Sequence, residues 1–295
     1  MHIGIVGTGK MGTAMTKRLL TQGHQVTVWN RTPERAQPLK ELGAAVATSL
    51  PALAAAAEVV ISIVTDAAAL RSVYEGPHSL LSAKPQGQLF IDMSTVSADT
   101  TRANGALVRA AGAHYLECPV GGSVGPALEG KLLGFAGGEV ADLERARPVL
   151  ELLCRRLEHV GELGSGAVMK LAINLPLMVY WQTLSEALSL LQPLGLDPKR
   201  VVDILADTSG GPNMLKVRGP MIAQALAGQP GGVTVNVATM RKDLKSMLDQ
   251  GTANHYQLPV TSLVLKTFEQ AGQQGLDEAD CTQLLTWWLQ GAGKA

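Results

Sequence analysis

Apolar runs and amphipathic stretches alternate along the first 160 or so residues of the chain. The apolar runs, which predict buried strands, lie at 2–7, 25–30, 58–65 and 88–94. Residues 11–23 and 32–43 have helical patterns that each end at a glycine, and Thr32 and Pro33 fit the N-cap and first helical position of the second. Strands that alternate with helices predict βαβ units and a mostly parallel sheet.

The pattern changes near residue 162. Helical periodicity dominates from there on, apart from the ambiguous, strand-like segment 231–239. The predicted helices lie at 165–195, 198–207, 237–251, 259–273 and 277–290. We therefore expect an α/β fold with a Rossmann doubly wound sheet at 1–162, followed by an all-α C-terminal domain at 163–295. A long interdomain helix that begins at Ser165 would join the two.

The composition narrows the class of protein. With 46% hydrophobic and 17% charged residues in a chain of 295, the sequence supports a large core. Lys+Arg and Asp+Glu both number 25, which argues against nucleic acid or a membrane surface as a partner, since both require a basic field. The three cysteines are widely spaced and suggest neither a disulfide framework nor a metal site. Without a leader pattern or an apolar run of about 18 residues, we expect a soluble, cytoplasmic protein.

The sharpest local motif is GxGxxG at Gly7, Gly9 and Gly12, directly after a predicted strand and at the start of a predicted helix. In this setting the first glycine permits a tight turn, the second lets the backbone approach a pyrophosphate, and the third packs the helix against the strand. The helix N-terminus then faces the anion. We expect this segment, which also contains Thr8, Lys10 and Met11, to bind a dinucleotide.

The end of the second predicted strand distinguishes NADP from NAD. An NAD site places an acid there to bind the ribose hydroxyl, whereas this chain has Asn30, Arg31 and Thr32. A guanidinium and two short polar groups would receive a 2′-phosphate that an acid would repel. The alternative is a solvated turn in which Thr32 only caps a helix. We expect NADPH to be preferred over NADH.

Further candidates follow the later strands, because ligands of open α/β folds bind at the carboxyl ends of the strands. Val64 and Thr65 end one apolar run, and Thr95 follows the next, where it would contact the nicotinamide or ribose of the cofactor. Gly122 and Ser123 lie in the glycine-rich segment 117–138. They would offer backbone amides and a hydroxyl to a substrate carboxylate or carbonyl.

Lys170 and Asn174 interrupt an apolar stretch at 166–176 and, being four residues apart, lie on one side of the predicted helix. A helix start and apolar neighbours both disfavour an ammonium, so we expect a lowered pKa for Lys170 that suits a general acid and base. The alternative is a lysine that snorkels from the rim of a buried helix. Pro176 follows in the same helix and predicts a kink or local widening.

The segments GTGKMG, DMSTVS, CPVGGS, GSGAVMKLAIN and MRKDL occur in this order over nearly the whole chain. Together they resemble the β-hydroxyacid dehydrogenases, the group around 3-hydroxyisobutyrate dehydrogenase that includes glyoxylate/succinic-semialdehyde and tartronate-semialdehyde reductases. The resemblance implies hydride transfer between NAD(P) and a short β-hydroxyacid or its aldehyde. It also implies a helical domain that drives oligomerisation, to a homodimer or homotetramer.

The same resemblance assigns roles to residues. The family's catalytic lysine falls on Lys170, its companion amide on Asn174, and its substrate-positioning segment on Gly121, Gly122 and Ser123. A lysine that reaches the cofactor side of the site falls on Lys242, for which a solvated helix face is the alternative. The chain reads P-V-G-G-S where many members read P-V-S-G-G, so the family's usual substrates are in question.

Two other functions stay open. An imine reductase would share the fold and the Asn-Arg-Thr cofactor segment, but such enzymes usually carry Asp or Tyr where Lys170 stands. A non-catalytic NADP-binding module is expected to have lost the catalytic lysine, which this chain retains. The sequence therefore favours an NADP-dependent aldehyde reductase or β-hydroxyacid dehydrogenase.

Overall fold

The computed structural model describes residues 1–293 and divides into two compact units. The first unit is Met1–Leu171, and the second starts at Ala172. The first contains a nine-stranded sheet. Its strands are β1 (His2–Val6), β2 (Gln25–Trp29), β3 (Ala45–Val46), β4 (Val59–Ser62), β5 (Leu89–Asp92), β6 (His114–Glu117), β7 (Val120–Gly121), β8 (Leu132–Gly137) and β9 (Cys154–Gly161).

The strand order is β3-β2-β1-β4-β5-β6-β8-β7, with β9 paired to β8. From β3 to β6 every pairing is parallel, so the carboxyl ends of these strands share one edge of the sheet. β8 runs antiparallel to both β6 and β7. The doubly wound Rossmann sheet predicted from the sequence is confirmed.

Both faces of the sheet are buried. Successive side chains of a strand point to opposite faces, so each strand contributes to two hydrophobic clusters. One hydrophobic cluster takes Ile61 from β4 and Ile91 from β5, and the other takes their neighbours Val60 and Phe90. All four side chains are fully buried. This explains why the strands read as continuous apolar runs rather than as an alternating pattern.

Helices cover the sheet in the first unit and make up the second. In the first unit they are α1 (Lys10–Thr21), α2 (Gln37–Lys40), α3 (Leu50–Ala56), α4 (Ala67–Tyr74), α5 (Ala98–Ala110), α6 (Val124–Glu129) and α7 (Val140–Leu153). Next come α8 (Ser165–Leu191), α9 (Pro198–Ala206), α10 (Asn213–Leu226), α11 (Val237–Ala253), α12 (Pro259–Ala271) and α13 (Gln283–Trp287).

Helix α8 begins in the first unit and continues into the second. The predicted domain boundary at 162 stays a prediction. Within residues 1–293, no helix combines the length and the apolar character that crossing a membrane requires.

Two sequence expectations were wrong in detail, and the structure decides one segment that the sequence left ambiguous. The helix expected at 32–43 is a 3-10 turn at Pro33–Arg35 followed by the four-residue α2, since Pro38 falls near the start of α2 and splits the segment. The helix expected at 277–290 begins only at Gln283, as α13 followed by a π-helical turn at Trp288–Ala292, because Asp280 instead accepts hydrogen bonds from Thr234 and Thr282. The ambiguous segment 231–239 forms a single bridge, between Asn236 and Asp280, before α11.

Helix α10 was not predicted. Its sequence contains Gly219 and Pro220, which are typical of a break rather than of a helix interior. Gly219 is buried, and a methyl group added there would lie 3.1 Å from Val202 of α9. Close packing between α9 and α10 therefore overrides the weak local propensity.

Candidate active site

The glycine turn joins β1 to α1 at the carboxyl edge of the sheet. Gly7 has a φ of 99°, which glycine adopts without strain, and a side chain there would meet the carbonyl of Ile63. A side chain at Gly12 would meet the carbonyl oxygen of Gly7, so this glycine lets α1 pack on the turn. At Gly9 an added methyl group would meet nothing within 4 Å. The turn is thus closed at its first and third glycines and open at the second, which fits a pyrophosphate at the N-terminus of α1.

Asn30 connects this turn to the end of β2. Its Oδ1 accepts a hydrogen bond from the amide of Thr8 at 3.0 Å, and its Nδ2 donates to the carbonyl of Thr32 at 2.9 Å. Thr8 is 4% exposed, and its buried hydroxyl has no hydrogen-bond partner among the described residues. Arg31 and Thr32 are exposed beside it. A bound dinucleotide would supply the polar partner that the Thr8 hydroxyl lacks, so these residues fit NAD(P).

A buried carboxylate organises the ends of β4 and β5. Asp92 Oδ1 accepts hydrogen bonds from the hydroxyls of Ser62 at 2.8 Å and Ser94 at 2.7 Å. Ser94 Oγ in turn accepts the amide of Val64 at 3.0 Å. Burial raises the pKa of Asp92, and the bonds from Ser94 and Ser62 oppose that rise. The loops that carry Val64, Thr65 and Thr95 are therefore anchored to a common side chain below them.

A second buried carboxylate holds the start of α8. Glu117, at the end of β6, is 1% exposed and accepts hydrogen bonds from the amides of Gly164, Gly166 and Ala167 at 2.5, 3.0 and 2.9 Å. Burial raises the pKa of Glu117 to about 7, although the three amides act in the opposite direction. Because β6 lies parallel to β5, the helix start lies at the same edge of the sheet as the glycine turn.

The predicted substrate segment lies directly after Glu117 along the chain. Gly121 ends the short strand β7, and Gly122 has a φ of 124° that favours glycine. Ser123 takes the N-cap position of α6, yet its hydroxyl makes no capping hydrogen bond, and the residue is exposed. The helix that Ser123 precedes therefore does not use its hydroxyl as a cap.

Lys170 and Asn174 lie on α8 with the predicted four-residue spacing, and both are half-buried. Among their neighbours, Leu171 is buried and Met169 is 39% exposed. Lys242 lies on α11, where its Nζ is 2.9 Å from Oδ1 of the buried Asp243. The catalytic and binding roles of these residues stay predictions. Among the described residues, no group of three or more His, Cys, Asp or Glu side chains is arranged to hold a metal ion.

Asp92 and Glu117 were both missed by the sequence interpretation. The available signal was an acid at the carboxyl end of an otherwise apolar run, in LFIDMS and HYLECPV. Charged residues are rarely buried without partners. An acid in such a run therefore predicts a buried, hydrogen-bonded group at the edge where ligands bind.

Sequence comparison shows what the chain is similar to. The NAD binding domain of 6-phosphogluconate dehydrogenase matches residues 2–161, and the NAD-binding domain of NADP-dependent 3-hydroxyisobutyrate dehydrogenase matches residues 164–288. A 3-hydroxyisobutyrate dehydrogenase of Pseudomonas aeruginosa is 34% identical, with 96% of this chain and 97% of that protein covered. Glyoxylate/succinic semialdehyde reductase 1 of Arabidopsis thaliana is 32% identical, with 97% of both chains covered.

Solved structures agree with the sequence matches. A structure of Psf3 in complex with NADP+ and 2-OPP has a TM-score of 0.86 and 29% identity, and the match covers 97% of this chain and 99% of that one. A reductive aminase from Aspergillus terreus has a TM-score of 0.64 and 24% identity, with 97% and 99% covered. The second likeness shows a shared fold only.

Proposed function

Since this chain belongs to the β-hydroxyacid dehydrogenase family, the group around 3-hydroxyisobutyrate dehydrogenase, we propose that it transfers a hydride between NADP(H) and a small β-hydroxyacid or its aldehyde, with Lys170 as the general acid and base. The enzyme is an NAD(P)-dependent hydroxyacid dehydrogenase. The preference for NADP, the role of the lysine and the substrate class are the proposal.

One observation carries the mechanism. Lys170 lies one helical turn after a helix start that a buried carboxylate fixes at the carboxyl edge of the sheet, where the glycine turn also lies. A nicotinamide cofactor supplies the hydride when it is bound. A proton donor held near the same edge can then complete the reduction of a carbonyl group.

In the direction of reduction, the carbonyl carbon of the aldehyde gains a hydride and its oxygen gains a proton from the Lys170 ammonium, so that a primary alcohol forms. In the direction of oxidation the neutral amine takes the hydroxyl proton back. Asn174 orients the substrate oxygen from the next turn of α8, and the Gly122 amide and Ser123 hydroxyl receive the carboxylate.

The proposed cofactor preference rests on the end of β2. Arg31 and Thr32 are exposed there, and the position that an acid takes in an NAD site is occupied by Asn30, which braces the glycine turn. A guanidinium binds a 2′-phosphate through charge-assisted hydrogen bonds. We therefore expect higher kcat/KM with NADPH than with NADH in parallel assays, and a clear preference for NADH would overturn the assignment of Arg31.

The lysine is tested by Lys170→Ala. We expect kcat for the reduction of a short semialdehyde to fall by about 100-fold or more, because proton transfer by a positioned side chain contributes on that order. NADPH affinity, measured by fluorescence titration, should stay the same. Lys266→Ala is the matched control, since it removes an exposed lysine of α12. Reduction at the wild-type rate by Lys170→Ala would refute the mechanism.

The substrate class is tested by a screen of short aldehydes and β-hydroxyacids, with a cyclic imine assayed alongside. Turnover of the imine without turnover of any aldehyde would replace the proposal by imine reduction. Failure to oxidise NADPH with every substrate would instead favour a non-catalytic NADP-binding module.

We also propose a cytoplasmic homodimer or homotetramer. Several large apolar side chains of the second unit are exposed, among them Leu190 at 82%, Val217 at 70% and Leu263 at 67%. We propose that subunit contacts cover such side chains, since the cores of homodimer interfaces are apolar. Light scattering on the purified enzyme measures the subunit count, and a monomer at micromolar concentration would contradict this part of the proposal.

A further inference from the structure

Glu117 connects two parts of the candidate site that are distant in sequence. Its carboxylate ends β6, and its three amide donors, Gly164, Gly166 and Ala167, begin α8. The partners are 47 to 50 residues away along the chain. The bonds satisfy amide groups that a helix start otherwise leaves without partners.

The three bonds fix the backbone one turn before Lys170. Residues three and four positions apart share a face of a helix, so Lys170 lies above Ala167 and Gly166. A long helical side chain also points back toward the N-terminal end of its helix. We therefore expect the Lys170 side chain to extend over the helical turn that Glu117 holds.

The start of α8 also packs against the residues that follow Glu117 along the chain. A methyl group added at Gly166 would lie 3.1 Å from Cδ of Glu117 and 3.2 Å from Cδ of Pro119, and it would also meet the carbonyl of Phe135. Pro119 is fixed in turn, because its carbonyl accepts the amide of Phe135 at 3.0 Å. The start of α8 thus packs against residues 117–119, which lie just before Gly122 and Ser123 in the chain.

We propose that Glu117 is a positioning residue that sets the distance between the Lys170 amine and the Gly122–Ser123 segment. The inference rests on the proposed role of Lys170. Glu117 need not touch substrate or cofactor; it acts through the backbone of α8 on one side and through residues 118–120 on the other.

The contact requires a carboxylate rather than any polar side chain. Oε1 accepts two amides and Oε2 accepts the third. In Glu117→Gln one of these oxygens becomes an NH₂ group, which donates and would face an amide that also donates. In Glu117→Asp the charge remains, but the side chain is one methylene shorter and cannot reach all three amides at once.

The experiment compares Glu117→Gln and Glu117→Asp with Glu162→Gln, which changes an exposed carboxylate close to the same helix start. For both Glu117 variants we expect kcat to fall by about 10- to 100-fold, because a small misplacement of a reacting group has effects of this order. The Kd for NADPH should stay within about twofold of wild type. Hydrogen exchange should become faster at Gly164, Gly166 and Ala167, and Glu162→Gln should match wild type in every measurement.

A double mutant separates positioning from general structural support. If Glu117 acts through Lys170, Glu117→Gln should lower kcat in the wild-type background and have no further effect in Lys170→Ala. Additive losses, an equal loss of NADPH affinity, or wild-type kcat in both Glu117 variants would each overturn the inference. Wild-type kcat in Lys170→Ala would refute the proposed function instead, so the two failures are distinguishable.

Discussion

A methyl group added at Gly9 would meet no atom within 4 Å, whereas a methyl group added at Gly12 would meet the carbonyl oxygen of Gly7. Two glycines of one motif therefore serve different purposes. Gly12 is required by the packing of the protein itself, whereas nothing in the protein requires a glycine at Gly9, whose φ of −67° any residue adopts. Close approach of the proposed dinucleotide is a reason for a glycine at this position.

This difference predicts opposite phenotypes for two alanine variants. Gly9→Ala should keep wild-type stability and bind NADPH at least about tenfold more weakly, because its methyl group would lie where we propose that the pyrophosphate approaches. Gly12→Ala should lose about 1–3 kcal/mol of unfolding free energy, because the methyl group overpacks α1 against the turn. Urea denaturation and NADPH fluorescence titration measure the two effects. If Gly9→Ala bound NADPH as tightly as the wild type, the assignment of this glycine turn to the cofactor site would be wrong.

Among individual residues, the glycine turn could be predicted because its function depends on a short contiguous motif. Glu117 and Asp92 could not be found in the same way. Glu117 bonds to amides 47 to 50 residues away, and Asp92 bonds to a serine 30 residues away. Burial and partners of this kind arise only when strands become neighbours, as in the register that pairs Asp92 with Glu117.

At the level of elements, the long apolar runs predicted β1, β2, β4 and β5 to within a few residues, since both faces of these strands are buried. The two-residue strands β3 and β7 and the eight-residue β9 were not predicted. Arg155 and Arg156 give β9 a polar start, so its sequence lacks the apolar run of a buried strand. Elements whose existence depends on a neighbouring strand, rather than on their own composition, escape sequence patterns.

Helix α8 continues through Pro176, which lies inside it. A proline removes one helical hydrogen bond and clashes with the preceding turn, at a cost of about 3 kcal/mol. The bend expected from Pro176 stays a prediction. Such a bend would lie two residues beyond Asn174 and would affect the direction in which the proposed catalytic residues Lys170 and Asn174 point.

Replacement of this proline tests the idea. Pro176→Ala should raise the unfolding free energy by about 1–3 kcal/mol, since the amide to the Ala172 carbonyl is restored. If the bend sets the angle of Lys170, kcat should fall several-fold in the same variant. Pro148→Ala is the matched control, because Pro148 is also an exposed proline inside a helix, α7. It should gain stability without loss of kcat. Unchanged kcat in Pro176→Ala would reject a functional bend.

For the molecule as a whole, the two buried carboxylates make stability depend on pH. Burial raises the pKa of Glu117 from 4.5 to about 7, so the folded protein holds a proton there that the unfolded chain has released. The resulting stabilisation is fully present below pH 4.5 and is lost as the pH rises through about 7. The titratable groups that interact with Glu117 are Asp92 on the neighbouring strand β5 and two residues close to it along the chain, Tyr115 and Cys118.

We expect the unfolding free energy of the wild type to fall, between pH 4.5 and 8, by about 3 kcal/mol more than that of Glu117→Gln, since one pKa unit corresponds to about 1.4 kcal/mol. Asp92 is present in both proteins, so its own contribution cancels in the difference. Urea denaturation at several pH values measures it. Parallel stability curves would mean that Glu117 does not titrate in this range.

The contact between Glu117 and α8 also has a consequence for use of the enzyme as a catalyst in preparative reductions. The ionised carboxylate accepts all three amides, whereas the protonated form replaces one acceptor with a donor. Loss of the Glu117 proton therefore favours the proposed alignment of α8, whereas retention of that proton at mildly acidic pH favours stability. Storage at about pH 6 would therefore keep the enzyme in the form in which this single buried side chain contributes most to stability.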